Sequence, residues 1–289
     1  MNQTKILAFA LSAMLACVSF ASCGDDDKND EPKPTQPDTP TLPENPNTPA
    51  APVPSVAKRL VSVSRPDGLN ASLMYDSNGI LRGVAYRRDG EEIEREEFIY
   101  SSSKIAVANT YLTTGYSYTN TYILTDGIIT RRQYESPYSG TISETSYLYD
   151  NRRISKWNGT GGSYANFSWA EGDISKNYIH TVSDIAGTYT LNASYTYDSC
   201  YDYGGVAVFV QGLLDSLNPY LAMQGFFGDR PSHLPKEAYM ESESGGIYLY
   251  SWSYEFDVDG YPVSMTEIEK YNNDEFIYSY VFTWETKSA

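Results

Sequence analysis

The sequence predicts an all-β protein, a long up-and-down antiparallel meander curled into a barrel or half-barrel, and three observations carry that expectation. Tyrosine is the outlying residue, 27 of 289, and aromatic and β-branched side chains suit the pleated, half-buried surface of a sheet. Three runs alternate clearly: Tyr116, Tyr118, Asn120, Tyr122 and Leu124; Tyr189, Leu191, Ala193, Tyr195 and Tyr197; Phe276, Tyr278, Tyr280, Phe282 and Trp284. Side chains repeat every two residues along a strand, so each set shares one aromatic face and leaves Thr, Ser, Asn and charge to the other. Turn chemistry cuts such runs at intervals of roughly 8 to 14 residues, the spacing of strand plus turn in a meander.

From the N-terminus, residues 1–22 resemble a bacterial lipoprotein signal. Lys5 supplies the positive n-region, Ile6 to Phe20 an apolar run too short to span a bilayer, and Ala21 and Ser22 the small pair before a cysteine. Cys23 is then the lipidated first residue, and Gly24, Asp25, Asp26 and Asp27 resemble the acidic export tag of surface-exposed lipoproteins. Cys17 is the alternative lipidation site, but cleavage there leaves Val18 to Ser22 as an apolar stub before the acids. Residues 23–55 hold nine of the fifteen prolines and almost no large apolar side chain. Such a segment cannot bury enough surface to offset its chain entropy, which predicts an extended, disordered tether. Residues 56–289 remain for a single β domain. With Cys200 its lone cysteine, that domain has no internal disulfide and stands on packing.

Within the domain, Ala71 to Tyr75 runs into Asp76-Ser77-Asn78-Gly79, Ile80 to Tyr86 into Arg87-Arg88-Asp89-Gly90, and Ile93 to Tyr100 follows. Glycine closing each Asp/Asn cluster supplies the positive φ of a tight hairpin. Further turns are expected near 101–103, 125–127, 136–140, 150–152, 159–163, 244–246, 257–260 and 272–274. A sheet of about fourteen to sixteen strands coils, and closure removes its exposed edges. Val206 to Gly228 breaks the pattern, with Leu213, Leu214, Leu217, Tyr220, Leu221 and Phe226 near helical spacing. The expectation there is one or two short helices near 206–224, interrupted at Pro219. They would pack on the mouth or concave face as a plug or ligand lid, or simply as a cover for one end.

Composition excludes more than it identifies. The chain carries a formal charge of −16, and from Val56 onward 30 carboxylates face 18 Lys and Arg, which argues against nucleic acid as a partner. Only His180 and His233 offer imidazoles, no Gly-x-Ser-x-Gly elbow occurs, and no catalytic residue is singled out. His180 reads as structural, whereas His233 sits in a loop-like stretch open to a ligand. No cluster suits zinc, and Asp257-Val258-Asp259-Gly260 begins like a calcium loop but is explained by a hairpin turn. No metal or cofactor is therefore expected. Glu144, Glu241, Glu243, Glu267 and Glu269 can be paired as glycosidase carboxylates at will, so none is favoured; Glu267 and Glu269 share a face expected to be solvated. Aromatic platforms for sugar rings are the better lead, with Trp157, Trp169 and Trp252 as ligand candidates beside His233, and barrel filling as their ordinary alternative.

Met74-Tyr75-Asp76-Ser77-Asn78-Gly79-Ile80 and Glu255-Phe256-Asp257-Val258-Asp259-Gly260-Tyr261-Pro262 are alike, and both are similar to the tyrosine-aspartate hairpin units of bacterial surface proteins. With the segment from Leu213 to Leu234 and the closing strand Tyr278 to Trp284, the order resembles a Bacteroidetes surface lipoprotein family of unknown function with a porin-like fold. The resemblance implies no catalytic residues. Strands bearing Glu92, Glu94, Glu96, Arg87 and Arg88 do not suit a lipid-facing band, so the barrel is expected in water. The resulting expectation is a lipoprotein anchored in the outer membrane and exposed on the surface, binding a ligand without catalysis, with glycans first to test. An envelope structural or protein-interaction module and a glycan-active hydrolase are the alternatives.

Overall fold

The computed structural model describes residues 56–287 apart from 66, 139, 184–186, 215–216, 244 and 273; the calls at Cys17, Cys23, Gly24, Asp25, Asp26 and Asp27 lie outside the described residues. Sixteen strands follow one another: β1 (Lys58–Ser64), β2 (Leu69–Tyr75), β3 (Leu81–Arg88), β4 (Glu91–Tyr100), β5 (Lys104–Tyr111), β6 (Tyr116–Thr125), β7 (Ile128–Glu135), β8 (Ile142–Asp150), β9 (Arg153–Gly159), β10 (Tyr164–Ala170), β11 (Asp173–Ser183), β12 (Gly187–Tyr201), β13 (His233–Ser242), β14 (Ile247–Phe256), β15 (Pro262–Tyr271) and β16 (Asp274–Thr286). Each pairs antiparallel with the next. The meander closes where β16 meets β1, with Leu60 opposite Trp284 and Val63 opposite Phe282. Closure leaves no edge strand to template aggregation.

The turns follow from local chemistry. At Asp89-Gly90, Asp126-Gly127, Asn151-Arg152 and Glu171-Gly172 both central residues have φ between 48° and 94°, the double positive φ whose twist matches a two-residue hairpin. The two alike units form the same loop. Asp76 Oδ1 accepts the N–H groups of Asn78 and Ile80 at 2.9 and 3.0 Å, and Asp257 Oδ1 accepts those of Asp259 and Tyr261, both at 3.0 Å. In each, a carboxylate stands in for backbone acceptors that a wider turn leaves unpaired. Lys58 Nζ sits 2.6 Å from both Asp257 and Asp259, so an ammonium already occupies the one place that looked like a calcium loop.

Inside, an aromatic girdle recurs near the end where even-numbered strands turn into odd ones. The Tyr75, Tyr149, Tyr197 and Tyr254 hydroxyls donate to the carbonyls of Leu60, Ile129, Ile174 and Pro235. The indole N–H groups of Trp169 and Trp284 do the same to Ile154 and Pro262. In all six, a ring late on an even strand bridges to the start of the preceding strand, burying its flat body while its polar tip is satisfied. Leu60, Leu81, Ile105, Ile129, Ile154, Ile174 and Leu234 form the adjoining layer, each at most 1 % exposed.

Residues 202–214 and 217–232, between β12 and β13, fold back into the barrel at this same end as a plug. Val206–Phe209 makes a 3-10 turn and α1 (Pro219–Met223) one short helix. Val206, Ala207, Val210, Leu213 and Leu221 are 0 % exposed, so the apolar face read from the sequence meets the girdle and not solvent. Pro219 does not interrupt a helix, as expected, but starts one: Asn218 caps it by accepting Leu221 N–H at 3.1 Å, and proline at the first helical position loses no hydrogen bond. The expected short helices near 206–224 are thus a 3-10 turn and one helix of five residues.

Candidate functional site

Polar groups on the inner wall hold the plug. Asn177 of β11 donates to the carbonyl of Gly212 at 2.5 Å and to Tyr195 Oη at 3.2 Å. Glu96 of β4 accepts from Asn218 at 3.2 Å and from Tyr86 at 3.1 Å. Asp202 accepts the N–H groups of Val206 and Ala207 at 2.8 and 2.9 Å, and Phe226 O accepts Ile129 N–H at 2.7 Å. Burial pushes the Glu96 carboxyl up to about 7 despite those two donors. The Asp202 carboxyl is likewise raised by burial, offset by Arg230 and the backbone donors.

The tryptophan candidates belong to this interior. Trp157 and Trp252 are 6 % and 5 % exposed, and Trp252 donates to Glu267 Oε2 at 2.8 Å. Trp169 is half-buried in the girdle above a void of about 10 Å³ shared with Leu214, Leu217 and Phe227, room for barely one water. Glu267, expected on a solvated face, is 1 % exposed; the face it shares with Glu269 looks inward, because β15 pairs Glu267 with Trp252 and Glu269 with Tyr250. Glu94 and Glu96 also face inward, beside Tyr86 and Tyr111. His233 opens β13. Its Nδ1 lies 2.7 Å from Asp173 Oδ2, its ring packs 4.5 Å from Tyr201, and Asp173 Oδ1 takes the N–H groups of Ser232 and His233 at 2.7 and 2.9 Å. The pair clamps the chain as it leaves the plug. Cys200 is half-exposed with its thiol raised by burial and by Asp198, the opposite of an activated nucleophile.

At the other end the inner wall carries tyrosine, with no plug among the described residues. Tyr111, Tyr116, Tyr118 and Tyr134 form one cluster with centroids 5.4 to 6.3 Å apart, and Tyr248 stacks on Tyr271 at 4.5 Å. Tyr189, on the inward register of β12, is 41 % exposed.

The outer wall shows a different chemistry across β10 to β13. Register sets Asn166, Tyr178 and Asn192 in one row across three strands. Ser168, Lys176, Ser194 and Tyr239 form the next row, across four. These seven side chains line a cleft of about 380 Å³. Tyr178 continues it through Tyr164, 5.8 Å away, which stacks on His180 at 5.0 Å and lies under Lys156 Nζ at 5.3 Å. The Tyr178 phenol is raised by its hydrogen bond with Tyr164. The side chains of Asn166, Lys176, Asn192, Ser194 and Tyr239 have no protein partner among the described residues. Several outward cations elsewhere are paired, Arg87 with Glu92 at 3.0 Å, Arg95 with Glu92 at 2.6 Å and Lys270 with Glu275 at 3.2 Å, while exposed Lys104 and Lys236 form no ion pair among the described residues. Sequence reasoning missed this cleft. Alternation along β11 and β12 marks its residues as outward, but nothing in the chain places Tyr239 beside Ser194 until the plug is looped out between them.

The fold is shared with a porin-like protein from Bacteroides uniformis known from a crystal structure, with a TM-score of 0.58 and 14 % identity over 78 % of this chain and 98 % of that one. Identity at that level shows the fold alone. No protein-family model and no curated protein matches the sequence.

Proposed function

We propose that this chain is a non-catalytic binding protein of the cell envelope, anchored in the outer membrane through lipid on Cys23, exposed on the surface, and taking a glycan on the β10–β13 cleft. One observation carries the binding part: whereas Asn177 and Glu96 inside the barrel hold the plug, Asn166, Asn192, Ser194 and Tyr239 outside form a contiguous patch whose side chains have no protein partner among the described residues. Hydroxyl-rich sugars match such donors and acceptors, and phenol rings supply flat apolar faces. The anchoring part rests on the signal, Cys23 and the acids after it. A water-facing wall is supported by the outward residues of β10 to β13, chiefly Ser, Thr, Asn, Lys and Glu with Tyr164, Tyr178, Tyr239 and Val182 among them, where a membrane barrel carries an apolar band about 25 Å tall. The porin-like fold of the neighbour supports an envelope role.

Two measurements test this reading. Cys23→Ala is expected to move the protein from the membrane fraction to the soluble one; sedimentation with membranes unchanged would remove the anchor. A thermal-shift screen of polysaccharides is expected to give about 2.7 kcal/mol of stabilisation at a hundredfold excess over Kd for the right ligand. A second reading, a protein-interaction module, is favoured by Leu249, Ile277 and Val281, which are 47 %, 61 % and 50 % exposed on the adjoining outer wall of β14 and β16. A silent glycan screen together with one co-purifying protein would select it.

A further inference from the structure

We infer that the cleft recognises an acidic glycan, a polymer of sugars bearing carboxylates, with Lys176 and Lys156 as the groups that select the charge; this rests on the glycan reading above and sharpens it. Two cations stand among the neutral polar groups of this wall. In a chain of net charge −16, the outer wall of β9 to β12 holds two ammonium groups, and neither has a carboxylate within salt-bridge distance among the described residues. A lysine with no counter-ion is the ordinary state of a solvated surface. Here, however, Lys176 stands in a row with Ser168, Ser194 and Tyr239 inside a cleft, and Lys156 is held over the ring of Tyr164 at 5.3 Å.

The placement of the two lysines points to a polymer. Lys156 pairs across to Asn166, and Asn166 to Tyr178, whereas Lys176 pairs to Ser168 one row away. Two strand spacings and one row put their Cα atoms about 12 Å apart. With Lys156 Nζ held over Tyr164, one row further from Lys176, the two ammonium groups suit a chain with charges repeated along it better than one carboxylate. Asn166 lies between the two cations on β10, with Tyr178 and Asn192 continuing its row and Tyr164 one row beyond, its ring 5.8 Å from that of Tyr178; the two amides reach hydroxyls as donor and acceptor at once. Glu241, opposite Asn192 on β13, bounds the site and disfavours anionic ligand running further that way. The surface is therefore asymmetric, positive on the β9–β11 side and acidic at its β13 margin, which sets a direction for the bound chain.

The test uses the full chain in native gels cast with polygalacturonate, dextran or polyglutamate, and titration calorimetry with the same three polymers. Polygalacturonate is expected to retard the protein and dextran to do so far less, with retardation falling as salt screens the lysines. Lys156→Gln with Lys176→Gln is expected to weaken binding about tenfold or more, the scale of losing a charge-assisted hydrogen bond at each position, with an unchanged melting temperature because both side chains leave the wall. Tyr239→Ala is expected to weaken both carbohydrates. Equal binding of dextran and polygalacturonate, untouched by the double lysine change, overturns this inference and leaves the glycan reading standing. Polyglutamate binding as tightly as polygalacturonate overturns it too, since charge without sugar would then suffice. If no carbohydrate binds, both fall.

Discussion

Asn177 and Asn192 lie within a residue of each other across the β11–β12 ladder, where Asn177 pairs with Ala193 and Tyr178 with Asn192, yet they live in opposite worlds. Asn177 is 3 % exposed and spends its amide on the Gly212 carbonyl and Tyr195. Asn192, one pleat over, faces solvent with nothing to hold. The same side-chain chemistry therefore serves structure on one face and remains available on the other. What separates them is the plug, which turns inward groups such as Asn177 and Glu96 into anchors. A barrel of this strand number has a lumen wider than its own side chains fill, so an apolar insert with polar tethers is what lets one end be packed solid.

The contrast is broken most severely by hollowing the plug. Leu221 is 0 % exposed in α1, and Leu221→Ala is expected to cost about 2 to 5 kcal/mol in urea unfolding, the transfer loss plus the cavity left behind. A cost below 1 kcal/mol would mean that the insert is loosely seated.

Protonation is expected to matter next. The folded-state carboxyl of Glu96 is pushed up from 4.5 to about 7, first by burial and then by neighbouring Glu94, with Asn218 and Tyr86 pulling it down. Glu94 is itself raised by burial, with Tyr111 opposing. A group raised in the folded state lends stability that is full below its unfolded value and is lost as pH climbs through the folded one. Stability should thus fall between pH 4.5 and about 7, by about 3 kcal/mol for Glu96. Glu96→Gln keeps an acceptor and a neutral side chain, and should flatten that slope. Melting temperatures of both proteins on either side of the window decide it; equal slopes would show that the Glu96 contact is not what titrates.

The strands and turns were legible because both are local: alternation needs only two-residue spacing, and Asp-Gly at 89–90 or 126–127 declares its own backbone. Alternation does not decide between barrel and half-barrel, since no local pattern says that Leu60 meets Trp284. The inward carboxylates were misread for the same reason. Glu267 looks like a solvated residue until Trp252 arrives across a hairpin, and Glu96 until Asn218 arrives from the plug. Pro219 looks like a break because a proline within an apolar run usually is one, but Asn218 directly before it is the cap that turns it into a start. Trp157, Trp169 and Trp252 drew attention as large flat rings, whereas the outward side chains of the cleft are small and unremarkable singly. Their significance lies in adjacency across four strands, which composition does not display.

The finest cut through the comparison is a pair of substitutions on one ladder. Asn177→Ala removes the buried amide that ties the Gly212 carbonyl and the Tyr195 hydroxyl to β11, and losing a buried hydrogen-bonding group costs about 1 to 3 kcal/mol. Asn192→Ala removes no contact and should change stability by less than about 0.5 kcal/mol. Their effects on sugar retardation are expected to reverse, with Asn192→Ala weakening it and Asn177→Ala leaving it alone at temperatures where the variant is folded. Should Asn192→Ala destabilise the barrel as much as Asn177→Ala does, the outward amide would be structural after all and the two faces would not divide their labour. The double variant adds the last constraint: with no shared partner, the two stability costs should sum, because one amide acts through the plug and the other has no part in it.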